Sequence, residues 1–302
     1  MMDAHTESLT DDARRVLALT HDERISYIRE QGWIGYPQAK LALSKMTELF
    51  DYPQTYRMPN LLIAGPTNNG KTTILRRFVK SHRPPREIID GRLNVPVLMV
   101  GSPATPNEGR LYDKILMTLG APFRVTDPIP RKQMLVLKLF RDAKIRLLIL
   151  DDIHNILAGT TTQQRVFLNV LREMSTELMI PMIAAGTLEA FNAISSDPQL
   201  QNRFEPLPLP PWKLNSDYQR LLASFEKRLP LMSPSQLHQP EIANRIHAMA
   251  RGTIGGTDNV IKKAAVVAIR QGLESITPKI IKVLESEALA AAKAAAALSG
   301  AH

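Results

Sequence analysis

The sequence predicts an α/β fold, a parallel sheet flanked by helices, followed by a small all-helical domain. Three observations carry this expectation. Four short apolar runs, 60–65, 96–101, 146–152 and 180–187, alternate with helix-like segments, and strands covered on both faces read as such unbroken runs. From about residue 215 only helical spacing remains, and the composition shifts at Pro210-Pro211. Finally, 44% hydrophobic and 22% charged residues in 302 are ample for a buried core and exclude bulk disorder.

Each element has its own reason. Residues 1–30 read as a polar, partly helical extension, with Val16, Leu17, Leu19, Ile25 and Ile28 loosely spaced as on one helix. Gly32 to Pro37 interrupts it. Ala39 to Phe50 is amphipathic, with Leu41, Ala42, Met46, Leu49 and Phe50 on one side. A loop with Pro53 and Pro59 leads into the first strand, and a helix begins at Lys71. The second strand opens on Pro96, a position that tolerates proline. Helices are expected at about 108–119 and 131–143, before a third strand, 146–152, expected beside the first. A helix at about 163–178 and the fourth strand follow. The proline-rich 204–212 is extended, with room for a short edge strand. Helices at 216–229, 239–251, 257–272 and 277–297 complete the chain. The expected organisation is thus 1–30 extension, 31–212 core, 213–290 helical domain and 291–302 alanine-rich tail, a strong helix former without an apolar stripe.

Composition excludes several classes of function. With no cysteine, there is no disulfide scaffold, thiolate metal site or cysteine nucleophile. The polar, acidic start lacks the pattern of a secretory signal, and no apolar run reaches the ~18–20 residues of a membrane span. The expectation is a soluble cytoplasmic protein with no membrane partner. Lys and Arg outnumber Asp and Glu by 38 to 29, a formal charge of +9. That favours polyanions, nucleic acid first and an anionic membrane second, or is simply a mildly basic solvated surface. Aromatic residues, at 5%, are too few for a single-strand stacking platform.

Gly65-Pro66-Thr67-Asn68-Asn69-Gly70-Lys71-Thr72 matches the phosphate-loop pattern G-x-x-x-x-G-K-[ST] between an apolar strand and a helix. Gly65 permits the turn out of the strand, and Gly70 lets the backbone close around a phosphate. Loop N–H groups and the helix N-terminus, through Thr73, direct positive dipole at the anion. Lys71 supplies a charge for the β- and γ-phosphates of ATP, and Thr72 a hydroxyl for Mg2+. The second half is Leu147-Leu148-Ile149-Leu150-Asp151-Asp152, a buried strand delivering two acids to the crevice at its carboxyl end. Asp151 is the expected Mg2+ ligand and Asp152 the group that polarises the attacking water. Asp152 is one methylene shorter than glutamate, so slow hydrolysis is expected. His154 is read as a structural or sensing histidine in preference to a proton carrier.

A phosphate loop, an apolar strand ending in two acids, a further strand ending in a polar residue and a helical C-terminal domain resemble the AAA+ P-loop ATPases. More narrowly, Trp33-Ile34-Gly35-Tyr36-Pro37, Arg57-Met58-Pro59-Asn60-Leu61-Leu62-Ile63, Asn68-Asn69-Gly70-Lys71-Thr72 and Asp151-Asp152-Ile153-His154-Asn155 resemble the TniB family of ATP-binding transposition proteins related to TnsC. The likeness covers about residues 30–290. It implies an AAA+ core with a helical lid, and roles by position. Thr187 corresponds to sensor 1, or is a helix N-cap before Leu188. Arg203 corresponds to the arginine finger, acting in trans on a neighbouring subunit's nucleotide, or is a surface arginine. Ile34 and Tyr36 correspond to residues flanking adenine, or pack in the core. Gly255-Gly256-Thr257-Asp258-Asn259 stands where a sensor 2 arginine often opens a helix, so that role is not assigned.

The resemblance further implies an ATPase, converting ATP and water to ADP and phosphate, that oligomerises as a ring or helical filament on duplex DNA and recruits or activates a transposase. Candidate DNA contacts are Arg110, in the segment 102–110, together with Arg131 and Lys132; solvated loops are the alternative. A replication-initiator or helicase-loader type of AAA+ switch is the second reading. It usually adds a DNA-binding domain, whereas the stretch after Pro211 suits the lid alone. A metabolic kinase is disfavoured for want of an acceptor signature.

Overall fold

The computed structural model describes residues 4–30, 32–84, 88–89, 91–195 and 203–299. The chain forms two units, residues 37–210 and residues 1–36 with 211–302.

The first unit is built on a five-stranded parallel sheet of β1 (Asn60–Ala64), β4 (Val97–Gly101), β5 (Leu147–Asp151), β6 (Met182–Gly186) and β7 (Phe204–Pro208), in the order β4-β5-β6-β1-β7. The short strands β2 (Ile88–Ile89) and β3 (Arg92–Leu93) form a separate antiparallel hairpin. Parallel neighbours need crossovers. Here they carry helices α5 (Lys71–Ser81), α6 (Glu108–Thr118), α7 (Ile129–Asp142), α8 (Thr161–Leu178) and α9 (Leu188–Ser195), while α4 (Pro37–Phe50) precedes β1. Every residue of β1, β5 and β6 is buried. Leu148 and Leu150 pack with Tyr112, Phe140, Phe167 and Leu171 in one contiguous core. In α4 the buried stripe is Ala39, Ala42 and Met46, whereas Leu41, expected on that side, is exposed.

One expectation about the sheet is corrected. The acid-bearing β5 is not beside β1, because β6 lies between them and pairs with both. Apolar content alone does not encode strand order, but the small residues of β6 suit this place. A Cβ on Gly186 would come within 2.6 Å of Ile153 Cγ2, and Gly186 O accepts a hydrogen bond from Gly65 N.

The second unit is all-helical: α1 (Ala4–Ser8), α2 (Asp11–Leu17), α3 (His21–Arg29), α10 (Ser216–Glu226), α11 (Pro240–Ala250), α12 (Ile254–Arg270) and α13 (Pro278–Ser299). The single N-terminal helix pattern is split at Thr20. Its hydroxyl accepts from Glu23 N while the Glu23 carboxylate accepts from Thr20 N, a capping box that starts a new helix. Of the segment 1–30, expected as an extension, the described residues 4–30 pack into this unit. Ile25 and Ile28 join Tyr218, Leu222, Ile246, Ile261 and Ile269 in its core. Arg24, only 1% exposed, donates to Pro230 O at 2.9 Å and to both oxygens of Glu274. At the head of α12 Gly256 belongs to packing: a Cβ on it would sit 2.7 Å from Ala250 O. Buried Thr257 hydrogen-bonds the Tyr218 hydroxyl. The alanine-rich segment continues α13 as far as Ser299. Among the described residues no helix is long and apolar enough to cross a membrane.

Candidate functional site

The phosphate-loop pattern folds as a loop between β1 and α5. Gly70 adopts φ +81° as the residue before α5, and Asn68 is also left-handed at +59°, conformations cheap for glycine and tolerated by asparagine. Gly65 is required for a different reason from the expected turn: a Cβ there would lie 2.4 Å from Leu209 O. The loop is thus held against the chain leaving β7. Buried Asn69 reinforces this, donating Nδ2 to Leu209 O at 2.9 Å and Pro210 O at 3.2 Å. Pro66 is half-buried, and Thr67 and Asn68 are exposed at the tip. Lys71 is 8% exposed and its Nζ donates to Gly65 O and Pro66 O. Burial pulls its pKa below the ordinary lysine value, against the opposing charges of Asp151 and Asp152.

The acid pair closes onto this loop. With β6 intervening, β1 and β5 are two strand spacings apart, roughly 10 Å, and side chains bridge the gap. Thr72 Oγ1 donates to Asp151 Oδ2 at 2.7 Å. The other Asp151 oxygen accepts from Asp152 N at 2.9 Å, and Asp151 itself is buried. Asp152 is exposed at φ +56°, where it turns the chain from β5 into the 3-10 helix Ile153–Ala158. His154 Nδ1 stands 3.9 Å from Asp152 Oδ1. Thr72 and Asp151 offer adjacent hard oxygens, which fits Mg2+. Among the described residues no cluster of three or more His, Asp or Glu could hold a metal, so a cation here would complete its shell with phosphate oxygens and water. Thr73, half-buried in the first turn of α5, completes the loop-to-helix edge.

Thr187 follows β6 directly, between the loop strand and the acid strand. Its side chain hydrogen-bonds the Glu189 carboxylate, which holds that acid below its ordinary pKa. Thr187 thus stands at the crevice with its side chain tied to the first turn of α9. Arg203 is not brought to the phosphate loop. It precedes β7, its carbonyl accepts from Asn60 N, and its guanidinium donates to Thr176 Oγ1. It thus lies at the amino end of the strands whose carboxyl ends carry the loop.

Ile34 and Tyr36 belong to the helical unit. Ile34 packs on its core, and Tyr36 meets the Trp212 ring edge-on at 5.2 Å, burial pushing its hydroxyl up to about 12. Of the candidate DNA contacts, Arg110 and Arg131 are exposed. Lys132 is corrected: it is 4% exposed, its ammonium donates to Val125 O and pairs with Asp113 at 2.7 Å, and it is closed off from DNA phosphate. The spacing of basic residues gave no sign that α7 turns this one inward. Asn69 was missed as a fastener because its partners lie 140 and 141 residues away, and the motif leaves its position unconstrained.

A family model described as Bacterial TniB protein matches residues 24–214. No curated protein matches the chain in sequence. Among solved structures, the Aeropyrum pernix ORC2 protein in its ADPNP-ADP complexes is similar at TM-score 0.61 and 17% identity, over 87% of this chain and 71% of that one. Cdc6p from Pyrobaculum aerophilum is similar at 0.59 and 17%, over 83% and 67%. Drosophila ORC bound to DNA is similar at 0.57 and 15%, over 95% and 69%. At such identities the likeness is one of fold, an AAA+ core followed by a helical domain.

Proposed function

This chain belongs to the TniB family, and from that membership we propose that it is an ATP-dependent, DNA-binding regulator of transposition. In this reading it oligomerises on target duplex and recruits or activates a transposase, with hydrolysis controlling the assembly. The observation that carries the nucleotide chemistry is the Thr72–Asp151 hydrogen bond, which joins the phosphate loop to the acid strand across β6. Family membership carries the transposition context.

The residues divide the work as follows. Backbone N–H groups from Thr67 to Thr73 and the α5 N-terminus hold phosphate oxygens. Lys71, already aimed across the loop by two carbonyls, exchanges them for β/γ-phosphate oxygens. Thr72 and Asp151 would hold Mg2+, which when bound neutralises phosphate charge. Asp152 orients the attacking water, and its short reach makes hydrolysis slow, in keeping with a switch. Thr187, just after β6, would face the γ-phosphate. Arg203, distant from its own loop, serves a neighbour. The products are ADP and phosphate.

Reconstitution tests the reading. Purified protein, ATP, a duplex target and a candidate transposase should give strand transfer that depends on this protein and is lost with Lys71→Ala. Transfer that proceeds equally without ATP or without this protein overturns it.

A further inference from the structure

At the amino end of the sheet, Arg57 and Arg203 line one open cavity of about 380 Å3, together with Tyr52, Asn60 and Glu205. Arg57 lies three residues before β1 and Arg203 one residue before β7, and the two strands pair from Asn60 and Phe204 onward. The parallel register thus brings the two guanidinium groups to the same edge. The cavity's carboxylate, Glu205, is engaged by Lys45. Among the described residues no carboxylate is in ion-pair contact with Arg57 or Arg203. Arg172, on α8, adds a third positive charge. Burial, then Arg57, then Arg172 depress the Arg203 pKa. Holding the Arg57 and Arg203 charges side by side with no described carboxylate on either costs free energy, and paired guanidinium forks match phosphate oxygens.

We propose that Arg57 is a second trans-acting cation beside Arg203, and that this cavity receives the nucleotide phosphates of a neighbouring copy of the chain. The inference rests on the assembly reading above. The chain's own nucleotide is excluded as the anion. β1 has five residues at about 3.3 Å each, so the cavity and the phosphate loop are separated by roughly 15 Å of strand. DNA is disfavoured because the cavity is concave and adjoins the finger position, whereas the Arg110 segment leaves the opposite, carboxyl end of β4.

The test compares Arg57→Ala, Arg57→Lys, Arg203→Ala and Lys71→Ala. Arg57 is exposed, so its truncation leaves the fold intact. Binding of a fluorescent ATP analogue to dilute protein reads the chain's own loop, and ATPase on duplex at assembling concentration reads the neighbour. Arg57→Ala should bind the analogue within about twofold of wild type yet lose about tenfold or more in ATPase, within the range of trans arginines. Arg57→Lys should keep part of the activity, and mixing Arg57→Ala with Lys71→Ala should restore some, because one mixed interface is complete. Wild-type ATPase in Arg57→Ala alongside loss in Arg203→Ala overturns the role of Arg57 and leaves the assembly reading standing. Normal ATPase in both arginine variants, with Lys71→Ala inactive, overturns the assembly reading itself. No recovery in co-assembled mixtures overturns the trans placement. Loss of nucleotide-free duplex binding by Arg57→Ala at unchanged ATPase assigns the cavity to DNA and overturns the proposal.

Discussion

Lys71 and Asp152 separate binding from chemistry, because one faces the loop interior and the other is exposed at the end of β5. Lys71→Ala removes the loop's mobile cation and should abolish ATP binding, measured by analogue fluorescence; affinity within about twofold of wild type would overturn the site. Asp152→Asn keeps the backbone N–H that bonds Asp151 and loses only the carboxylate. ATP affinity should hold while steady-state hydrolysis falls by about tenfold or more, the scale of a positioned acid–base group. Unchanged hydrolysis would take Asp152 out of the water-orienting role. Lys71 was legible in the sequence because the phosphate motif fixes type and spacing together, and Asp152 because an apolar strand run ends in two acids. Asn69 and Arg57 were not, since their significance comes from partners brought close only by strand register.

The helix α3 shows what a single element adds. Its polar sequence suggests a solvated extension, yet Arg24 reaches Pro230 O and Glu274 across more than two hundred residues of chain. No periodicity announces such a pair, whereas the strands and the C-terminal helices were legible because burial on one or both faces leaves a local pattern. Removing Glu274 leaves the Arg24 guanidinium buried without its counter-charge, so Glu274→Ala should destabilise this unit by about 3 kcal/mol or more. The pH dependence follows from the Glu274 carboxyl. Burial pushes its pKa up, but the hydrogen bond and charge of Arg24, with help from Met232 N and His21, hold it below its ordinary 4.5. A depressed carboxylate contributes stability above the unfolded value and loses it as pH falls through the folded one. The helical unit should therefore weaken below about pH 4.5, and Glu274→Gln should flatten that dependence. Both tryptophans, Trp33 and Trp212, belong to this unit, so denaturant unfolding followed by their fluorescence reads it selectively. An unchanged acid limb in Glu274→Gln would remove the ion pair as its source.

For the whole molecule the deciding quantity is charge. A formal +9 attracts a polyanion without reading its bases, so binding to duplex should be sequence-tolerant and salt-sensitive. Each phosphate contact contributes about 0.9 to the slope of log affinity against log salt. Arg110 and Arg131 are exposed and flank segments free to meet a backbone; their existing contacts, to Thr105 at 3.4 Å and Asp127 at 3.5 Å, are long. Lys132 provides the internal contrast, being one residue along the same helix but buried on Asp113. Arg110→Ala and Arg131→Ala should each flatten the slope by about one unit per subunit. Lys132→Ala should instead lower stability, by stranding Asp113, and leave the slope of the folded fraction as it was. ATP enters because the γ-phosphate would join one subunit's Lys71 to the next subunit's arginines, ordering copies along the duplex. Anisotropy of a labelled duplex across a salt series, with an ATP analogue, ADP or no nucleotide, measures all of this together. The expected order of affinity is analogue above ADP above none, with steep salt dependence in each. Binding indifferent to both nucleotide and salt would overturn assembly on DNA, and the ATPase would then be a switch acting on a protein partner alone.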